Sequence, residues 1–394
     1  MRFRDACIPV GFLWSSPFAR WQGPLAEVGS LELAVRVSGR ALKERGFDPG
    51  EIGSLVFGWT VPQKGIFYGA PTLAARLGAP GVTGPMVSQA CATSVACLAA
   101  AAASAAPDPT LVVAADRTSN GPTLLYPNPS GMGGAPEIEH WVLDAFARDP
   151  WTGESMVATA EAVAAEEGIT REELDEVTLL RYEQYRDALA DGRAFQRRYM
   201  VPVEVPRPRG EPLLLEEDHG VHPTSEEALR RLRPLSEGGV ITYGSQTHPA
   251  DGAAGALVTT GERARSLSGG EGVVRLLASG VARVERARMP KAPVPAALAA
   301  LEAAGLGLGE VDAVKTHNPF AVNDVYLSRK LGLPQDKINR YGSSLVFGHP
   351  QGPTGMRLIA ELVEELRLRG GGTGLFTGCA AGDTGAALVL RVED

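Results

Sequence analysis

At 394 residues, with 44% hydrophobic and 21% charged positions, the chain has material for two domain-sized cores and ordinary globular composition. A formal net charge of -8 disfavours a general nucleic-acid or acidic-membrane partner, while small anionic ligands need only a local basic patch. The four cysteines, Cys7, Cys91, Cys97 and Cys379, lack metal-ligand spacing and are too few for a disulfide framework, which points to a reducing cytoplasm and no resident metal.

The N-terminal apolar run is short and broken by Pro9, Gly11 and Ser15, a poor signal peptide. A strand is predicted over 6–13, an amphipathic helix over 30–45, a strand over 52–58 and a short helix over 71–77. Residues 85–89 lead into Cys91, and the alanine-rich stretch 95–106 follows, too short to span a bilayer and better suited to a buried helix. Leu-Val-Val-Ala-Ala over 111–115 reads as a buried strand, and strands alternating with helices imply helices layered on a sheet.

The texture then changes. Residues 120–136 are rich in Gly, Pro, Asn and Ser, which is loop chemistry. Helices are predicted over 155–167 and 171–189, the second with Thr170 as N-cap and Glu172 and Glu173 in its first turn. An irregular strand over 195–208 carries several arginines able to meet phosphate, though a solvated face explains any one of them equally well. Strand signals return over 253–260. The tail repeats the early rhythm: strand 273–284, helix 294–304, strand 313–316, helix 323–331, helix 355–368, and a closing hairpin of 373–379 with 385–391. The expected organisation is a duplicated α/β fold: one half over 1–118 completed by about 241–265, an inserted loop domain over 119–240, and a second half over 266–394.

Four motifs carry chemistry. Cys91, in Gln89-Ala90-Cys91-Ala92-Thr93-Ser94, sits where a strand gives way to a helix, so unpaired N–H groups and the helix dipole favour its thiolate. That field lowers a thiol pKa from about 8.5 by no more than about one, so full activation needs a base. Standing alone, Cys91 fits a small buried residue better than a nucleophile. Gly348-His349-Pro350-Gln351-Gly352 holds an imidazole in a stiff turn, suited to be that base or merely to bond a carbonyl. Gly378-Cys379-Ala380-Ala381-Gly382-Asp383 is a small-residue turn that, by itself, fits a tight hairpin better than a reactive site. Thr316-His317-Asn318-Pro319-Phe320 lies at a strand's end, where α/β folds collect ligand groups.

Together these motifs resemble the thiolase family, acyl-CoA acyltransferases that make or cleave 3-ketoacyl-CoA. Ser16-Pro17-Phe18, Gly23-Pro24-Leu25, Met156–Glu161, Thr242-Tyr243-Gly244, Asp251–Ala254, Gly348–Gly355 and Cys379–Ala387 carry the resemblance in order, nearly end to end. It implies a layered αβαβα fold and a homodimer or homotetramer, with residues 111–115 and the flanking loop as a candidate interface. It implies acyl-CoA and CoA as substrates, no metal or redox cofactor, and no membrane partner. It further implies that His349 activates Cys91, which carries the acyl group, while Cys379 serves as acid and base. One oxyanion hole would use His349 and a water held by His317, the other the backbone N–H groups of Cys91 and Ala381. Met156, Thr247, Phe320 and Ala321 would contact the substrate or its pantetheine arm. Departures are His317, often asparagine in the family, whose protonation would then matter; Ala381, expected to tighten the pocket; Asp383, expected to charge it; and His222, where an arginine often meets the nucleotide. Two alternatives stand beside this reading: a CoA- or lipid-binding subunit active only with an accessory protein, motivated by those departures, and a decarboxylating ketoacyl synthase, against which Cys379 argues.

Overall fold

The computed structural model describes residues 1–207 and 209–393; the last position of the strand predicted over 195–208 lies outside them. Two mixed sheets form the frame. The first orders Leu13–Ser15, Ala250–Val258, Thr110–Arg117, Ser54–Gly58 and Met86–Val87, with Ser54–Gly58 parallel to both of its neighbours. The second orders Arg2–Pro9, Val273–Arg283, Thr384–Glu393, Gly372–Ala380 and Ala313–His317, the last pair parallel and the rest antiparallel.

Helices Thr93–Ala103 and Thr354–Leu368 pack on each other and on strands of both sheets, so they form the central layer. Helices Ser30–Glu44 and Gly69–Leu77 cover the outer face of the first sheet, and Pro293–Ala304 covers that of the second. The result is the αβαβα layering that the motif resemblance implies. Both central helices lack a polar face open to water: alanine dominates Thr93–Ala103, and Thr354–Leu368 is buried from Thr354 to Leu366.

That burial includes charge. Arg357 is fully buried, pairs with Asp218 at 2.6 Å and with Glu361 at 3.2 Å, and lies against the Phe347 ring. Lys315 reaches Glu361 at 2.8 Å. Buried ions need such partners, because an uncompensated one costs several kcal/mol.

Three expectations change. The first strand runs over Arg2–Pro9 rather than 6–13, because Gly11 turns the chain at φ +85, and it joins the second sheet by pairing with Val273–Arg283. The expected first half therefore gives its opening strand to the other sheet. Residues 111–115 lie in the interior of the first sheet, paired on both edges and buried, so they cannot form an interface. The stretch read as loop, 120–136, contains the first strand of a hairpin, Thr123–Tyr126, whose partner strand Glu137–His140 and a short helix, Trp141–Ala147, follow directly after it. The helices predicted after it are present as Met156–Glu167, capped by Ser155, and Arg171–Arg193, opened by the Thr170–Glu173 capping box. Among the described residues no helix is long and apolar enough to cross a membrane.

Candidate active site

The two halves meet at a cavity of about 460 Å³, and their turns deliver the reactive groups to it. Cys91 stands two residues before the helix Thr93–Ala103, on a turn that drives Ala90 to φ +44, a strained value for a residue with a side chain. Thr93 holds that turn by accepting from Gln89 N–H at 2.9 Å and donating to Ala90 C=O at 2.7 Å. His349 arrives from the opposite half. Gly348 before it has φ +92, and a Cβ there would come within 2.7 Å of the His248 ring. Only glycine lets the two segments approach so closely.

His349 Nε2 lies 3.1 Å from Cys91 Sγ, and its Nδ1 is 2.7 Å from Thr354 Oγ1. A proton on Nδ1, donated to Thr354, leaves Nε2 free to take the thiol proton. Gln351 Oε1 is 3.5 Å from the same sulfur. Burial pushes the Cys91 thiol up to about 12, against the pull of the Ala381 and Cys91 backbone N–H groups, and Asp116 adds to the rise. Burial, then His317, holds His349 well below its ordinary value. The resting pair is therefore thiol and neutral imidazole. The modest pull of the helix terminus toward a thiolate is outweighed by desolvation.

Cys379 ends its strand buried, its sulfur receiving a hydrogen bond from Asn323 Nδ2 at 3.3 Å. Burial and the nearby Cys91 raise its pKa, while Asn323 lowers it. His317 is buried, with its ring 4.1 Å from that of His349. Its Nδ1 is 2.9 Å from Ser344 Oγ, and its Nε2 has no hydrogen-bond partner among the described residues. Burial takes His317 down to about 3, so it stays neutral and the expected sensitivity to its protonation disappears. Cys91, His317 and His349 each place a donor atom within 4.8 Å of the others.

Behind these groups, Asp116 accepts from Thr60 N–H at 2.7 Å, Val61 N–H at 3.0 Å and Gly352 N–H at 2.9 Å. One carboxylate thus joins the walls on either side of Cys91. A Cβ at Gly352 would lie 2.6 Å from it, which explains the glycine. Asp324 fixes the His317 segment in the same way, accepting from Thr316 Oγ1 at 2.6 Å, Asn318 Nδ2 at 2.7 Å and Arg181 Nε at 2.8 Å.

Of the expected contact residues, Met156, Thr247, Phe320 and Ala381 line the cavity. Ala321 does not: it is fully buried and its N–H serves Ser245 C=O at 2.9 Å, because it opens the helix Ala321–Leu331. Asp383 adds no charge to the cavity either. It is buried and accepts from the Ala287 and Arg288 N–H groups, both at 2.9 Å, which anchors the turn carrying Ala381. The arginines after 193 do not line the cavity; Arg198, for one, pairs with Glu364 at 2.6 Å. His222 is exposed, 3.4 Å from Arg20. Sequence reasoning missed Gln351, Asn323, Ser344 and Asp116. It also missed Trp141, which lines the cavity and donates through its indole N–H to Thr60 C=O at 2.9 Å. Gln351 lies within a named motif and was within reach, whereas Asn323 was read only as the start of a helix.

Known proteins resemble this chain in sequence and in fold. The family model described as the thiolase N-terminal domain matches residues 14–262, and that of the thiolase C-terminal domain matches 271–392. The chain belongs to the thiolase family. An acetyl-CoA acetyltransferase of Chromobacterium violaceum is 31% identical over 378 residues, covering 94% of this chain and 95% of that protein. The human mitochondrial 3-ketoacyl-CoA thiolase is 33% identical over 237 residues, 60% of this chain and 59% of that one. The crystal structure of the Bacillus anthracis acetyl-CoA acetyltransferase superposes with a TM-score of 0.90 at 27% identity, covering all of both chains. In this thiolase chain Cys91, Cys379, His349 and His317 lie together beside the cavity.

Proposed function

We propose that this thiolase is an acyl-CoA acyltransferase that makes or cleaves a 3-ketoacyl-CoA through an acyl-Cys91 intermediate. The observation that carries the reading is the 3.1 Å contact between Cys91 Sγ and His349 Nε2 at the floor of an open cavity. In cleavage, Cys91 sulfur attacks the keto carbon as its proton passes to His349. The bond between the α- and keto carbons breaks, Cys379 protonates the departing carbanion, and acetyl-CoA leaves. The thiol of a second CoA then gives its proton to the Cys379 thiolate and takes the acyl group from Cys91, whose sulfur recovers the proton held on His349, restoring the enzyme. Because both cysteines rest as thiols, each proton moves with the bond it serves rather than beforehand.

The oxyanion on the keto carbon falls to the N–H groups of Cys91 and Ala381, which already reach the sulfur. The enolate oxygen falls to His349 and to a water on the free Nε2 of neutral His317, a role that asparagine also fills without charge. The apolar wall of Val61, Trp141, Phe146, Met156 and Met289 suits an acyl tail. Phe67 and Tyr68, before the helix Gly69–Leu77, and Leu125, Met132 and Ile138 of the hairpin are exposed apolar groups that support assembly with a second copy. Four free cysteines suit a reducing cytoplasm.

The test is Cys91→Ala. Incubated with acetyl-CoA, the parent protein should gain one acetyl group by intact mass and should cleave acetoacetyl-CoA or a longer homologue. The variant should gain none and lose turnover by more than ~10⁴-fold. Turnover retained in the variant would remove the proposal.

A further inference from the structure

We propose that Cys91, His317 and His349 together form a metal site that takes zinc(II), or a cation of similar softness, and closes the reactive thiol reversibly. It rests on the positions of three donors and does not depend on acyl transfer. A sulfur and one nitrogen from each of two rings lie within 4.8 Å of one another, with the His349–Cys91 pair already at 3.1 Å. Zinc bonds of about 2.3 Å to sulfur and 2.0–2.1 Å to nitrogen set tetrahedral ligand atoms roughly 3.3–3.6 Å apart. The donors therefore need shifts of about 1 Å or less to close on one ion.

A second, independent observation points the same way. His317 Nδ1 is engaged by Ser344 Oγ at 2.9 Å, yet its buried Nε2 has no hydrogen-bond partner among the described residues. His349 Nδ1 is likewise held, by Thr354 Oγ1 at 2.7 Å. Each ring thus has a hydroxyl partner on one nitrogen and offers the other, the arrangement that metal-ligating histidines use to fix tautomer and ring angle. Coordination forms a sulfur–zinc bond and releases the Cys91 proton to solvent. The cavity that Cys91 and His349 line supplies the entry path and leaves a fourth position for water. Asparagine at position 317 would leave only two of these donors.

The experiment uses the full chain, stripped of metal with a chelator and titrated with cobalt(II), then with zinc(II). The parent should bind one cobalt per chain with a near-ultraviolet sulfur-to-cobalt band and tetrahedral visible bands, and zinc should abolish both. His317→Asn should weaken both metals by at least ~10-fold, and Cys91→Ala should lose the sulfur band. No sulfur band in the parent, its survival in Cys91→Ala, or equal affinity in His317→Asn overturns the site. Should His317→Asn fail to fold by circular dichroism, the Cys91→Ala comparison still decides. Cleavage assayed with chelator present reads the acyl-transfer reading separately, so either can fail alone.

Discussion

The two halves of the molecule each bring one thiol to the same place and treat it differently. Cys91 is half-buried on a strained turn and faces the cavity, with an imidazole, a carboxamide oxygen and two backbone N–H groups around it. Cys379 is sealed at the end of a strand and has one carboxamide donor, Asn323. Burial raises both above the ordinary thiol range. The lesson is that reactivity here comes from what each sulfur can hand its proton to, and not from a standing negative charge. A group that must bond to an incoming carbonyl needs room and a base beside it. A group that only exchanges a proton with a bound carbon can stay enclosed.

The sharpest way to break this contrast is to remove the enclosed thiol. Cys379→Ala should still form the acetyl adduct on Cys91, while steady-state cleavage falls by ~10²–10⁴-fold. Loss of the adduct as well would mean that the two sulfurs do not divide the work. A smaller effect should follow at Asn323, whose hydrogen bond lowers the Cys379 pKa. Asn323→Ala removes a bond worth about 1.5–3 kcal/mol to a thiolate. The pKa of Cys379 then rises, and the alkaline limb of the rate profile should move to higher pH with acylation unchanged. A profile that stays in place would detach Asn323 from the chemistry.

The smallest effect concerns stability. His317 is held down to about 3 and His349 well below its ordinary value, both by burial, whereas in the unfolded chain each titrates near 6.5. Below about pH 6.5 the unfolded state therefore binds more protons, so stability is full above that pH and declines as the medium is acidified. Urea midpoints measured from pH 7.5 to 4.5 should fall, and His317→Asn should flatten the decline. An unchanged slope would show that His317 is solvated in the folded protein.

Most helices and strands were legible because period and punctuation agree locally: Thr170 with Glu173, or Gly78 and Gly332 closing their helices in the left-handed region. The hairpin at 123–140 was not, since its strands are short, half polar and set among Gly, Pro and Asn. Nothing local could assign Arg2–Pro9 to the far sheet, because its partner lies some 270 residues away. The four motif centres stood out only in combination, through the family resemblance, since alone Cys91 and Cys379 read better as packing and turn residues. Their partners were not legible: Ser344 reaches His317 across a separate loop, and Asp116 joins Thr60 to Gly352. The resting charge of Cys91 was also beyond reach, since helix-terminus electrostatics are visible in a sequence and desolvation is not.

The Arg357–Asp218 pair bears on how the molecule can be cut and recombined. Asp218 lies in the stretch 119–240 expected to be an insertion, yet its side chain neutralises a guanidinium on the central helix. A shortened chain without that segment, or a chimera grafting another sequence there, would leave Arg357 and Lys315 sharing the single carboxylate of Glu361 between two sheets. Such hybrids should collapse into aggregates unless an acidic residue is restored at that spot or Arg357 is replaced by an uncharged side chain of similar bulk.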